Sequence, residues 1–128
     1  MAKYLTQEWL DLQKDLSESF PAKPGATARM QYVVAGAPGG DVKYYSVIED
    51  GKVVENQMGE DPQAEFTLTT GYDDSVRIAK GELDANAAFM QGKVKVTGNM
   101  GKLMTLMPLT QSPEYKDISA KVAGQTEF

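Results

Sequence analysis

The chain has 128 residues, 41% of them hydrophobic, a formal charge of −5, and neither histidine nor cysteine. That length suits one core, so a single domain over residues 1–128 is expected. The missing residue types exclude Ser-His-Asp and Cys-His catalysis, disulfides and ordinary zinc sites, and the acidic balance argues against nucleic acid.

Residues 4 to 20 read as an amphipathic helix, with Leu5, Trp9, Leu12 and Leu16 on one face and Thr6 as its cap. Pro21 and Pro24-Gly25 stop it. Arg29 to Ala35 alternates with Met30, Tyr32 and Val34 on one side, and Val42 to Glu49 alternates again. Asp50-Gly51 is a two-residue hairpin signal, and Lys52 to Met58 is the return strand, with Val53 and Val54 adjacent. After Gly59-Glu60-Asp61-Pro62, Ala64 to Thr70 forms a fourth strand. Short links lead us to expect these four as an antiparallel meander with one packed face.

The period then changes. Thr70 is placed to cap a helix with Asp73 and Asp74 in its first turn and Tyr72, Val76 and Ala79 on one face. Asp84 caps a short helix over Leu83 to Met90 that Gly92 ends, and Lys93 to Thr97 makes a fifth strand with Val94 and Val96 inward. Met100 to Met107 is helical until Pro108. Ser112-Pro113-Glu114 opens the last helix, whose apolar face is Tyr115, Ile118 and Val122. The sum is an α+β architecture, one sheet under a helical layer.

Charge and composition narrow the function further. Residues 1–90 carry 8 basic and 15 acidic groups, residues 91–128 carry 5 and 3, so only the C-terminal part has a basic character. Its lysines read as solvated, leaving at most transient membrane contact. No phosphate-binding glycine loop is present and no apolar run spans a bilayer. Gln7, Glu8 and Asp11 break any signal-peptide core, so a cytoplasmic location is expected. Asp73–Asp74 and Tyr44–Tyr45 are the remaining catalytic candidates. The acids fit a helix start and the tyrosines fit strand packing, so no enzyme, cofactor or metal is expected.

Four of the seven methionines, Met90, Met100, Met104 and Met107, fall within residues 90–107. Methionine is flexible and polarizable, suiting either a core filler or a wall that adapts to varied apolar shapes. Met100, Leu103, Met104 and Met107 form a stripe, and Leu106 and Leu109 add a second apolar edge. A helix apolar around most of its circumference needs cover on more than one side, from the sheet and from a neighbouring helix, a partner chain or a ligand.

The block Ala88-Phe89-Met90-Gln91-Gly92-Lys93-Val94-Lys95-Val96-Thr97-Gly98-Asn99-Met100 resembles the signature of the sterol carrier protein 2 family. Ala64 to Thr69 is similar to the strand before that family's central helices, and Asp50-Gly51 to its hairpin. The resemblance implies a five-stranded, mostly antiparallel sheet covered on one face by helices, with an apolar tunnel between the layers. It also implies a non-enzymatic intracellular carrier of fatty acid, acyl-CoA, phospholipid or sterol. The tunnel residues would be Phe66, Leu68, Val76, Phe89, Met90, Val94, Val96, Met100, Leu103, Met104 and Met107. The chain ends Gln125-Thr126-Glu127-Phe128, without the peroxisomal tripeptide of animal members, which fits the expected cytoplasmic location. The alternative is an interaction module of the same fold with a filled tunnel, acting as a homodimer or beside an enzyme.

Overall fold

A computed structural model describes all residues except Phe20 and Gln111. The elements are β1 (Ala2–Lys3), α1 (Gln7–Ser17), β2 (Ala28–Ala35), β3 (Val42–Glu49), β4 (Lys52–Met58), β5 (Phe66–Gly71), α2 (Tyr72–Ala79), α3 (Ala85–Met90), β6 (Val94–Gly98), α4 (Met100–Thr110), α5 (Pro113–Gly124) and β7 (Thr126–Glu127). It is an α+β fold around a five-stranded mixed sheet.

Local chemistry explains most boundaries. The Thr6 hydroxyl accepts from the Trp9 N–H at 3.3 Å and starts α1. Leu5 stands outside the helix in the left-handed region, φ 61°, turning the chain from β1 into α1. The helix expected over residues 4–20 is therefore shorter at both ends, and Phe20 lies outside the described residues. Asp50 and Gly51 take φ of 49° and 83°, the mirror-image turn that matches strand twist. The register shifts between Val47 and Ile48, so Ile48 opposes Val53. This bulge accounts for the adjacent valines of β4. Asp84 and Ser112 cap α3 and α5 as expected, accepting from the Ala87 and Tyr115 N–H groups.

Two caps differ. Thr70 does not cap α2. Its hydroxyl donates to the Lys93 carbonyl at 3.2 Å, and Gly71 is the cap residue without a side-chain bond. Pro108 does not end α4, which runs on to Thr110. The donor that Pro108 lacks falls on the helix's wet side, where Pro108 and Met104 are both exposed.

The strand order is β4-β3-β2-β5-β6, with three antiparallel pairings and β5 parallel to β2. The four-strand meander expected from short links is thus corrected. After β4 the chain crosses the sheet and adds β5 beyond β2, and β6 then pairs with β5. The crossover is pinned from the outer sheet face. Buried Gln31 donates from Nε2 to the carbonyls of Tyr44 and Gly59, both at 3.0 Å. Its Oε1 accepts the Asp61 N–H at 2.8 Å. Arg29 donates from Nε to Asp61 Oδ2 at 2.8 Å. A linker with these anchors two strands away cannot return along the β4 edge.

That edge is closed instead by α1. Gln7 donates to the Asn56 carbonyl at 2.9 Å and accepts the Met58 N–H at 3.0 Å. Asn56 Nδ2 donates to the Leu10 carbonyl at 3.1 Å, and Asn56 also bonds Ser46. Unpaired strand groups are thereby satisfied and the edge is blocked. The ends of the chain pair as β1 and β7, with the Ala2 N–H donating to the Gln125 carbonyl at 3.0 Å. Two-residue strands have no periodicity to reveal them. Among the described residues, no helix is long and apolar enough to cross a membrane.

Candidate functional site

The inner sheet face carries rows of side chains set by register. Met30 of β2 lies beside Phe66 of β5, Tyr32 beside Leu68, and Val34 beside Thr70. Leu68 and Thr70 in turn oppose Val96 and Val94 of β6. The row nearest α4 is closed: Phe66 is 2% exposed and packs in one cluster with Met30, Ile48, Leu106 and Leu109. Towards β6 the closure fades. Leu68, Val94 and Val96 are only half-buried although they belong to the packed face. The apolar residues on the neighbouring helices, Val76 of α2, Phe89 of α3, and Leu103 and Met107 of α4, are half-buried too.

The signature block has a structural meaning here. Gly92 takes φ 77°, and the Gly92 and Lys93 N–H groups bond back to Phe89 and Ala88, stopping α3. At Gly98, φ 107°, a Cβ would meet the Glu65 carbonyl oxygen at 2.7 Å. Asn99 accepts the Lys102 N–H at 3.2 Å and so caps α4. These residues aim α4 across the sheet from the end of β6.

The structure thus brings Phe66, Leu68, Val94, Val96 and Leu103 onto or against the inner face, with Val76 and Phe89 on the helices beside it. It does not bring all eleven expected residues together. Met90 is 85% exposed, Met104 61% and Met100 43%. The buried side of α4 is the edge carrying Leu106 and Leu109, with Leu103 packed against it.

The interior also holds polar aromatic groups. Tyr32 and Tyr44 stack at 4.6 Å and 12°, and Trp9 meets Tyr44 edge-on at 5.6 Å. Tyr32 donates to Met30 Sδ at 3.1 Å. Burial pushes the Tyr32 and Tyr44 phenols up, so both stay neutral hydroxyls. Their lack of charge suits an apolar layer. Gln13, in the stripe between Trp9 and Leu16, was missed by the sequence reading. Its signal was a polar residue interrupting an apolar face.

Two clefts lie elsewhere. One of about 440 Å³ sits between the chain ends and the Glu8–Asp11–Asp15 side of α1. One of about 610 Å³ sits on the outer sheet face beside Gln31, Lys43 and Asp61. Both are open and of mixed polarity, so neither suits an apolar occupant.

The fold is an α+β arrangement of a five-stranded mixed sheet with one helix-covered face, its apolar layer only half-buried towards β6. The chain matches the SCP-2 sterol transfer family over residues 9–111, and it belongs to that family. It is 33% identical over 109 residues to sterol carrier protein 2 of Homo sapiens, a match covering 80% of this chain and 19% of that protein. The chain therefore spans only a small part of such relatives. A crystal structure of sterol carrier protein 2 superposes with a TM-score of 0.77 at 17% identity, covering 94% of this chain and 100% of that one. Palmitated SCP2L2 from Aedes aegypti gives 0.62 at 18% identity, covering 84% and 92%.

Proposed function

We propose that the chain is a non-enzymatic cytoplasmic lipid carrier, a single domain over residues 1–128. It takes the acyl or ring portion of a lipid against the inner sheet face. The observation that carries this reading is the half-buried apolar surface of Leu68, Val94 and Val96 on a face that is otherwise packed. Family membership supports it. Phe66, Leu68, Val94 and Val96 form the floor, and Val76, Phe89, Leu103 and Met107 the walls. Met100 and Met104, with Met90 further out, stand at the rim, where flexible side chains can part for entry. Each methylene removed from water contributes about 0.8 kcal/mol before association costs. Apolar floor and walls fit varied acyl and ring shapes, so selectivity for the buried portion of the lipid is broad.

Extraction of the purified protein into organic solvent followed by mass spectrometry should recover acyl lipids. A fluorescent fatty acyl probe should bind and be displaced by them. Recovery of no lipid together with no probe binding would sink the reading. Val96→Lys, which places a charge on the floor, should weaken the probe at least tenfold.

A further inference from the structure

Two buried hydrogen-bond donors on α1 have nothing to bond. Trp9 Nε1 and Gln13 Nε2 are both removed from solvent and without a partner among the described residues. Buried donors left unpaired are rare in native proteins and call for an explanation. These two are four residues apart on one helix, so they project from the same face one turn apart. Two such donors one helical turn apart leave two hydrogen-bonding positions for an acceptor.

The surroundings say which acceptor. Trp9 belongs to a hydrophobic cluster with Leu5, Leu10, Tyr44 and Val122, with Ile118 of α5 against it, and meets Tyr4 edge-on at 4.8 Å. Tyr44 stacks on Tyr32, and Tyr32 also packs against the Phe66–Leu106 cluster. Trp9 therefore joins the apolar layer through two stacked rings. The ion pairs among the described residues lie elsewhere, at Arg29–Asp61, Lys43–Glu60, Arg77–Asp74 and Lys102–Glu65. An anion placed in that hydrophobic cluster would be buried among apolar side chains, which is costly unless a cation pairs with it. A neutral carbonyl oxygen has two lone pairs and no charge, so one oxygen can accept from both donors.

We propose that Trp9 Nε1 and Gln13 Nε2 form a polar subsite for the uncharged carbonyl of an acyl ester, whose chain runs on into the apolar layer. The subsite rests on the carrier reading above and adds its head-group class. It discriminates by charge: an ester is accepted, a free carboxylate is not.

Trp9 is the single tryptophan, so its indole N–H gives one resolved NMR resonance and its emission one fluorescence signal. The full chain is titrated with methyl palmitate, palmitate and hexadecane. Methyl palmitate should move the indole N–H resonance downfield and bind more tightly than palmitate. Gln13→Leu should weaken methyl palmitate five- to tenfold, the loss of one buried hydrogen bond, and leave hexadecane unchanged. Gln13→Met serves as a second variant should the first fold poorly. Hexadecane and methyl palmitate both bound, with an unmoved indole resonance and no effect of Gln13→Leu, would overturn the subsite and leave the carrier standing. An already downfield indole proton that the ester does not move would do the same, since the donor is then satisfied by water or by the protein. Tighter binding of palmitate would also overturn it. Binding of none of the three would overturn the carrier and the subsite together.

Discussion

Gln13 is partly buried on the stripe of α1 between Trp9 and Leu16, where an apolar side chain would leave no donor unpaired. Its unpaired amide donor makes it a stability liability in the empty protein. Gln13→Leu should therefore raise the stability of the lipid-free chain by about 1 kcal/mol, measured by urea unfolding after delipidation. A loss of stability would show that the amide is already satisfied. On the outer face, Asp61 is the opposite case. Burial of its carboxylate favours the neutral form, but the Arg29 guanidinium and the Gln63 N–H outweigh it, and the pKa lies below the ordinary aspartate value. A carboxyl group depressed in the folded state stabilises above its unfolded pKa and ceases to do so as pH falls through the folded one. Asp61→Asn should therefore lower the melting temperature at neutral pH and flatten the acid limb below about pH 4. An unchanged acid limb would mean that the crossover is not held by this charge.

At the scale of elements, α4 and the β6 turn carry the clearest contrasts. Leu106 is 3% exposed and Met104 61%, two residues apart on one helix. Leu106→Ala should cost about 3 kcal/mol in denaturant unfolding, the usual range for emptying a packed leucine site. Met104→Ala should change stability by less than about 0.5 kcal/mol, as surface substitutions do. Comparable losses from the two would mean that α4 is rotated from the arrangement described. Gly98→Ala should cost about 3 kcal/mol, because the added methyl meets both the Glu65 carbonyl oxygen and Phe66 Cα, at 2.7 and 2.8 Å, in a backbone region that L residues avoid. That close approach explains why glycine precedes Asn99 in this chain. An alanine variant as stable as the parent would show that β5 and β6 can separate there.

For the whole molecule, closure is uneven. β2 and β3 are paired on both sides, whereas β6 is an edge strand beside a six-residue helix. Amide exchange should be slowest in β2 and β3 and fastest in α3 and β6. A bound acyl ligand should slow exchange in β6, α3 and α4 more than in β3 or β4. Uniform slowing, or slowing confined to α1 and β4, would place the ligand elsewhere.

Much was legible in the sequence because it is written in local chemistry. Thr6, Asp84 and Ser112 cap as their side chains dictate, Asp50-Gly51 closes the hairpin its φ preferences favour, and alternation marks the inner face of β2 and β5. The Phe89–Asn99 block, which resembles the signature of the sterol carrier protein 2 family, holds a helix stop, an edge strand, a close glycine and a cap. The order of strands was not legible. A linker of seven residues between β4 and β5 fits a simple turn as well as a crossover. The choice was made by Gln31 and Arg29, two strands away in space and thirty residues away in sequence. Nor could periodicity orient α4, since a helix apolar over most of its surface has no unique face. The sheet beneath it selected Leu106 and Leu109 and left Met104 in solvent. Sequence alone determined the longer strands and helices, the inner face of β2 and β5, and the absence of a histidine or cysteine catalyst. Tertiary structure decided which strands adjoin, which methionines are buried and where two donors stay unpaired, because those outcomes depend on non-local contacts that no local pattern encodes.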